Sequence, residues 1–389
     1  MITLALAGKP NSGKSTFYRA ATMAPAEIAN YPFTTIDPNI GVAHVRTDCP
    51  CKTLGKPCGN CTDGVRFVPV NLIDVAGLVP DAHKGRGLGN QFLDSLRQAD
   101  AILHVVDASG GTDSEGNPVD PGSHDPAVDI EFLKFEMAMW VYGILDKHWS
   151  KIHRQAQTRT FSIHRGIAEV FTGLSITPED VRDAEVGAGI DLLTASEAGL
   201  VEFCKRIVEI SKPMITVGNK VDLAPKGAID RLKGTEVNFS TAAGELALRN
   251  AAAAHLIAYL PGDAAFRVVN ESALSPAQKG GLGKIAEVMK DYKGTGVQQA
   301  INRAVFELLD LIVVYPVEDE QHYSDSRGRM LPDAFLMKKG STPKDLAFQV
   351  HTDIGKGFLY AVDAKTKMRV KETHVLSQGD IIRIVSTAK

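Results

Sequence analysis

Short apolar runs punctuate the chain at Met1 to Ala7, Val68 to Ile73, Ala101 to Asp107 and Pro213 to Gly218. Each is too short for a helix and carries little charge, which suits strands of a parallel sheet buried on both faces. Elsewhere the period changes. A helix is expected from Ser15, directly behind the first run. Further on, Ile130, Leu133, Met137, Trp140, Ile144 and Ile152 recur at three- to four-residue spacing or its multiples, with Glu131, Lys134, Glu136, Lys147 and Lys151 as the polar positions between them. Thr177-Pro178-Glu179-Asp180 supplies an N-cap, a proline at the first helical position and a capping-box acid, so a second helix should start there. The segment from Gly110 to about Pro126 is rich in Gly, Asp, Pro and Ser and reads as a linker. After about residue 305 the texture turns strand-like, with runs at Leu309 to Tyr315, Ala334 to Met337, Gly357 to Val362 and Asp380 to Val385. The expected organisation is α/β: a doubly wound, mostly parallel sheet from residues 1–110 and 208–305, a helical insertion or hairpin arm at 111–207, and a smaller β-rich unit at 306–389.

Composition adds exclusions. The 389 residues are 44% hydrophobic and 23% charged, enough for two or three domains with ordinary cores. A net charge of -3 gives no global pull toward nucleic acid or a membrane surface, so any such contact must come from a local patch. No stretch approaches the roughly 20 apolar residues needed to span a bilayer, and no secretory leader is visible, so a cytosolic protein without a membrane partner is expected.

The first apolar run ends in Gly8-Lys9-Pro10-Asn11-Ser12-Gly13-Lys14-Ser15, a complete phosphate-binding loop of the form G-x-x-x-x-G-K-[ST], followed by Thr16. Strand, loop and helix in that order make this the P-loop of a nucleoside triphosphatase: backbone N–H groups wrap the phosphates and the helix N-terminus adds partial positive charge. Lys14 would reach the β and γ phosphates, and Ser15 would offer a hydroxyl to Mg²⁺. The second run ends in Asp74-Val75-Ala76-Gly77, a D-x-x-G motif in which Asp74 orients the Mg²⁺ shell and the Gly77 N–H follows the γ phosphate. The fourth ends in Asn219-Lys220-Val221-Asp222, an N-K-x-D motif whose Asp222 carboxylate can accept from N1–H and the exocyclic amine of guanine, donors that adenine lacks. Ser240-Thr241-Ala242-Ala243 then sits where Thr241 and Ala242 could place backbone N–H on the guanine oxygen. GTP or GDP is therefore the expected ligand.

Two further phrases bring a specific resemblance. Asn30-Tyr31-Pro32-Phe33-Thr34-Thr35-Ile36-Asp37-Pro38-Asn39, Asp74 to Val79 and Gly85 to Leu93 together resemble the Obg-related GTPases, most closely their YchF-type branch, with similarity over nearly the whole chain. That resemblance implies that Thr35 closes over Mg²⁺ and the γ phosphate, that residues 78–90 form the mobile second switch, and that 111–207 is a helical insertion. Leu78 stands where Ras-like enzymes carry the water-orienting glutamine. An apolar side chain cannot orient water, so intrinsic hydrolysis should be slow, on the order of 10⁻⁴ to 10⁻² s⁻¹ without a partner. His83 and His124 are candidate water-positioning residues. Leu376 to Ile384, with Asp345, Phe348 and His351 to Phe358, resembles TGS domains, small β-grasp modules, and implies a ribosome or RNA partner. Lys338, Lys339, Lys344, Lys356, Lys365, Lys367, Arg369 and Lys371 could form the basic surface for it, or simply a solvated face. The rival functions are an ATPase of the same fold and a ribosome-binding module whose nucleotide is structural.

Two metal sites stay open at this level. Cys49-Pro50-Cys51 and Cys58-Gly59-Asn60-Cys61 could close a tetrahedral Zn²⁺ site, though a redox-sensitive loop would use the same residues. Asn11 stands where an asparagine can hold K⁺ between α and γ phosphates, and turn geometry alone would also favour it there.

Overall fold

The computed structural model describes residues 1–23, 40–75, 77–78, 80–84, 96–158, 161–232 and 234–387. Thr35, the Asn30 to Asn39 phrase and Gly85 to Leu93 lie outside the described residues. Strands β1 (Thr3–Ala7), β2 (Ile40–Asp48), β3 (Val65–Asp74), β4 (Ala101–Asp107), β5 (Met214–Asn219) and β6 (Val237–Phe239) form one sheet of order β2-β3-β1-β4-β5-β6. All its pairings are parallel except β2 with β3. The expected core strands are thus present, β3 starting three residues earlier than its apolar run. Every residue of β4 is buried, as an uninterrupted apolar run in a central parallel strand requires.

The register decides where the chemistry collects. Leu6 pairs with Asp74, Ala7 with His104, and Asp107 with Asn219, so β1, β3, β4 and β5 all deliver their motif residues at one carboxyl edge. Helix α1 (Lys14–Thr22) leaves the phosphate loop, and the short α2 (Cys51–Leu54) sits in the β2–β3 connection at the opposite end of β3.

Between β4 and β5 run α3 (Pro126–Ala156), α4 (Ile163–Val170), α5 (Pro178–Ala188) and α6 (Glu197–Ser211). Asp125 caps α3 and Pro126 occupies its first turn, while Thr177 and Asp180 form the expected capping box of α5. At 31 residues α3 spans about 46 Å. Its Leu133 and Met137 share one core with Ala5, Ala7 and Ile102 of the sheet, and α4 to α6 extend that same core. The apolar stripe also uses Val141 and Leu145, while Trp140 and Ile144 are only partly buried. Glu136, expected on the polar face, is instead buried, for a reason that the site makes clear.

Helices α7 (Lys226–Leu232) and α8 (Ala242–Ala253) flank β6, a two-stranded ribbon joins β7 (Ile257–Ala258) to β8 (Arg267–Val268), and α9 (Pro276–Tyr292) and α10 (Val297–Arg303) follow. The C-terminal sheet has the order β10-β9-β13-β11-β12, from β9 (Leu311–Val317), β10 (Phe335–Lys338), β11 (Phe358–Asp363), β12 (Met368–Val370) and β13 (Ile381–Ser386). Only β9 with β13 is parallel, and α11 (Pro343–Val350) and α12 (Thr352–Lys356) complete this β-grasp unit. β12 is not among the expected runs: three residues, two of them exposed, carry no periodic signal. Val313 and Tyr315 of β9 are buried in the same cluster as Leu4 and Leu6 of β1, so the two sheets share a core.

Candidate functional site

The phosphate loop is shaped by close approach. Gly8 has φ 144°, and a Cβ there would lie 2.2 Å from the Val105 carbonyl oxygen; Gly13 has φ 96°, and a Cβ there would lie 2.2 Å from Asn219 Nδ2. Asn219 explains the second contact. Its amide donates to Ser12 O at 3.1 Å, while its Oδ1 accepts from the Ala242 N–H at 3.0 Å and from Ser240 Oγ at 3.3 Å. One buried side chain therefore ties the phosphate loop to the start of α8. Lys220 continues the tie, with Nζ on Asn11 O at 2.7 Å and on Asp107 Oδ2 at 2.8 Å.

Lys14 Nζ donates to Gly8 O at 3.0 Å and Lys9 O at 2.9 Å, curled within the loop where phosphate oxygens would replace those carbonyls. Burial lowers its pKa from 10.5 to about 8, against the opposing pull of Asp74. Ser15 Oγ donates to Asp74 Oδ2 at 2.9 Å. A hydroxyl and a carboxylate in contact at the foot of the loop are hard oxygen donors that suit Mg²⁺, which takes its other ligands from waters and phosphates. The Gly77 backbone is packed against Pro10, since a Cβ would lie 2.8 Å from Pro10 Cγ. Leu78 donates its N–H to Gly8 O at 3.1 Å and is 2% exposed, so its side chain belongs to the core and cannot hold a water.

Asp222 is exposed in a single 3-10 turn, Val221–Leu223, and lines a groove of about 1100 Å³ with Thr241, Ala243, Lys284 and Ile285. The groove is open to solvent and walled on its far side by α9. The Thr241 N–H donates to Thr295 O at 2.8 Å and the Ala242 N–H to Asn219 Oδ1 at 3.0 Å, so both backbone donors expected to meet the guanine oxygen are engaged within the protein, although Thr241 does line the groove. The groove-lining Ala243, in the first turn of α8, has the backbone N–H better placed for a ligand carbonyl.

Several residues play other parts than the motif suggests. The Lys9 side chain is turned away from any phosphate: Nζ pairs with Asp129 Oδ2 at 2.7 Å and donates to Thr112 O at 2.8 Å, and the two charged side chains are 1% and 6% exposed. His124 Nε2 contacts the other oxygen of Asp129 at 2.9 Å, so this candidate water-holder is committed to bracing α3. His83 Nδ1 lies 2.8 Å from Glu136 Oε2, and the same carboxylate accepts the N–H groups of Asp81 and His83. That is why Glu136 is buried. It fastens the segment after D-x-x-G to α3.

The supposed linker at 110–126 is also part of the site. Asn11, with φ 59°, donates its amide to Gly116 O at 3.0 Å, and a Cβ on Gly116 would lie 2.6 Å from Pro10 O. Asp107, fully buried at the end of β4, holds the loop's base through Ser109 Oγ at 2.5 Å and Thr112 Oγ1 at 3.0 Å. Gly and Pro there serve tight packing against the phosphate loop rather than flexibility. A carboxylate ending a wholly apolar strand was the available signal for Asp107; no local signal marked Glu136 or the pairing of Asp129 with Lys9, because those partners lie far away in sequence. The four cysteines are brought together, their Sγ atoms all within 4.8 Å of one another.

Comparison with known proteins agrees with this geometry. A model described as 50S ribosome-binding GTPase matches residues 3–130, one described as the G4 motif-containing domain of Obg-like YGR210-like GTPases matches 217–319, and a TGS domain model matches 328–386. An uncharacterized GTP-binding protein of Methanocaldococcus jannaschii is 48% identical over all of both chains. The ribosome-binding ATPase YchF of Bacillus subtilis is 29% identical over 92% of this chain and 87% of its own. The crystal structure of a GTP-binding protein from Pyrococcus horikoshii is 41% identical, covers 99% of this chain and 100% of its own, and superposes with a TM-score of 0.76.

The buried charges at the loop have measurable consequences. Asp129→Asn strands the buried Lys9 cation and should destabilise the protein by about 3–5 kcal/mol, read as a lowered denaturation midpoint, whereas an unchanged midpoint would show that the pair does not brace the loop. Because Lys14 is proton-poor above about pH 8 in the free protein, bound phosphate must restore its proton, and nucleotide affinity should weaken as pH rises beyond that point by up to about tenfold per unit. A titration series from pH 7 to 9 with flat affinity would contradict this.

Proposed function

The chain belongs to the YchF-type branch of the Obg-related GTPases, and we propose that it is a Mg²⁺-dependent, GTP-hydrolysing switch acting with the ribosome or RNA in the cytosol. The observation that carries this reading is the Asn219 amide, which joins an intact phosphate loop to the start of α8 beside an Asp222 aimed into the same region. Residues 1–110 and 208–305 are assigned to the nucleotide domain, 111–207 to the insertion and 306–389 to the TGS domain.

In this reading the backbone N–H groups of Gly8 to Thr16 cradle the phosphates, Lys14 spreads charge from the transferring phosphoryl, and Ser15, Asp74 and Thr35 hold the metal or its waters. Mg²⁺ supplies charge neutralisation between the β and γ phosphates when bound. Gly77, already against Pro10, reports the γ phosphate by its N–H. Neither Leu78 nor His124 is free to orient water, which supports a slow intrinsic rate and dependence on a partner. Asn11 keeps its amide on Gly116, so its Oδ1 is the atom that would serve K⁺.

The name of the Bacillus relative makes ATP the competing nucleotide; the intact Asn219-Lys220-Val221-Asp222 here favours GTP. Single-turnover GTP hydrolysis in Mg²⁺, with K⁺ or Na⁺ at matched ionic strength and with or without ribosomes, tests the proposal. Faster turnover in K⁺, acceleration by ribosomes and loss of activity on Mg²⁺ removal are expected. Equal rates in the two salts would remove the potassium assignment, and absence of hydrolysis even with ribosomes would overturn the switch.

A further inference from the structure

The β2–β3 connection, residues 49–64, has almost no apolar material of its own: apart from its cysteines, Leu54 is its one large aliphatic side chain. Yet Cys49, Cys51 and Cys58 are buried, and the connection is ordered by Cys49 N–H to Gly64 O at 2.8 Å and by a Thr62 to Val65 bridge. A loop without a core needs a staple. The sulfur positions supply its form. Cys49 and Cys58 are 3.7 Å apart, Cys51 and Cys61 3.4 Å, and Cys58 and Cys61 3.5 Å. Four thiolates about 2.3 Å from one tetrahedral ion would be separated by about 3.8 Å, whereas a disulfide needs about 2.05 Å.

Two more observations point the same way. The Asn60 N–H donates to Cys58 Sγ at 3.4 Å. A backbone donor on a cysteine sulfur favours thiolate over thiol. Arg66, the second residue of β3 after the loop, is 1% exposed and lies 6.0 Å over the ring of Tyr315, which belongs to the core that also holds the cysteines. Its Nη2 donates to Pro332 O at 3.1 Å, but Nε and Nη1 have no acceptor among the described residues. A buried guanidinium without an anion is unfavourable, and a divalent ion with four thiolates carries net charge of about -2.

We propose that Cys49, Cys51, Cys58 and Cys61 bind one Zn²⁺, and that this centre clasps the C-terminal β-grasp unit to the nucleotide domain, with Arg66 balancing its charge. Asn60, inside the second cysteine pair, donates to Met330 O at 3.1 Å and Leu331 O at 3.3 Å. Leu331 is held fully buried with φ 43°, a conformation that a branched residue adopts only under constraint from its surroundings. The centre therefore fixes the segment that leads into β10. It stands at the far end of β3 from Asp74, so it is structural, and the inference is independent of the nucleotide assignment.

Elemental analysis of full-length protein purified under reducing conditions should find about one zinc per chain, and replacement by Co²⁺ should give the intense visible absorption of tetrahedral cobalt thiolate. Chelation should raise amide exchange around residues 328–334 by about tenfold or more while leaving β4 protected. Cys61→Ser, at the least buried ligand, should lose most of the metal. Four free thiols without metal in the native protein, recovery of disulfides, or iron in place of zinc would each overturn the assignment. Unchanged exchange at 328–334 after zinc loss would overturn the clasp.

Discussion

A single buried amide carries the geometry on which the rest of the site depends. Asn219 has one donor face and one acceptor face, and both are used: Ser12 O on one side, Ala242 N–H and Ser240 Oγ on the other. The contact is so close that residue 13 must lack a Cβ. Because Asn219 ends β5, the register of β5 on β4 places the phosphate loop relative to the groove at Asp222. A buried ion pair, Lys9 with Asp129, and one between partly exposed Lys220 and buried Asp107 brace that loop from the insertion and from β4. Breaking either leaves an uncompensated charge in low dielectric, so the loop is held by what its disruption would cost more than by net attraction.

The braces also explain how distant parts of the chain are made to matter at the site. Helix α3 holds the phosphate loop through Asp129 and the segment after D-x-x-G through Glu136, two turns apart on one helix face. Movement of residues 81–83 must therefore be felt by α3, and through its shared core by α4 to α6. The C-terminal sheet is coupled at the other end of the molecule, through the β2–β3 tip and the core around Tyr315. The phosphate-binding edge of the sheet and the β-grasp module are thus joined through β3 itself.

Much of this was legible in the chain, and the reason is local. The Thr177 capping box closes within a few residues, and the phosphate loop and strand-ending motifs are contiguous patterns, so the sequence displays them directly, even though the loop glycines are needed for contacts with distant Val105 and Asn219. What escaped depends on partners far away. Glu136 looks like a surface acid until the loop at 81–83 covers it, Lys9 reads as a phosphate ligand until Asp129 is brought beside it, and the Gly-Pro segment reads as a linker until Gly116 is seen against Pro10. The likeness of composition between a flexible linker and a tightly packed loop is physical: both need residues without bulky side chains.

The central claim is that this framework preforms a guanine site, and direct titration of the unmodified protein with GTP and ATP tests it. Two charge-assisted hydrogen bonds from guanine to Asp222, at about 1.5–3 kcal/mol each, predict at least about tenfold preference for GTP, and Asp222→Asn should move that preference toward xanthine nucleotides, whose O2 accepts from the new amide. Equal affinity for ATP and GTP would contradict the account and put an ATPase of the same fold in its place.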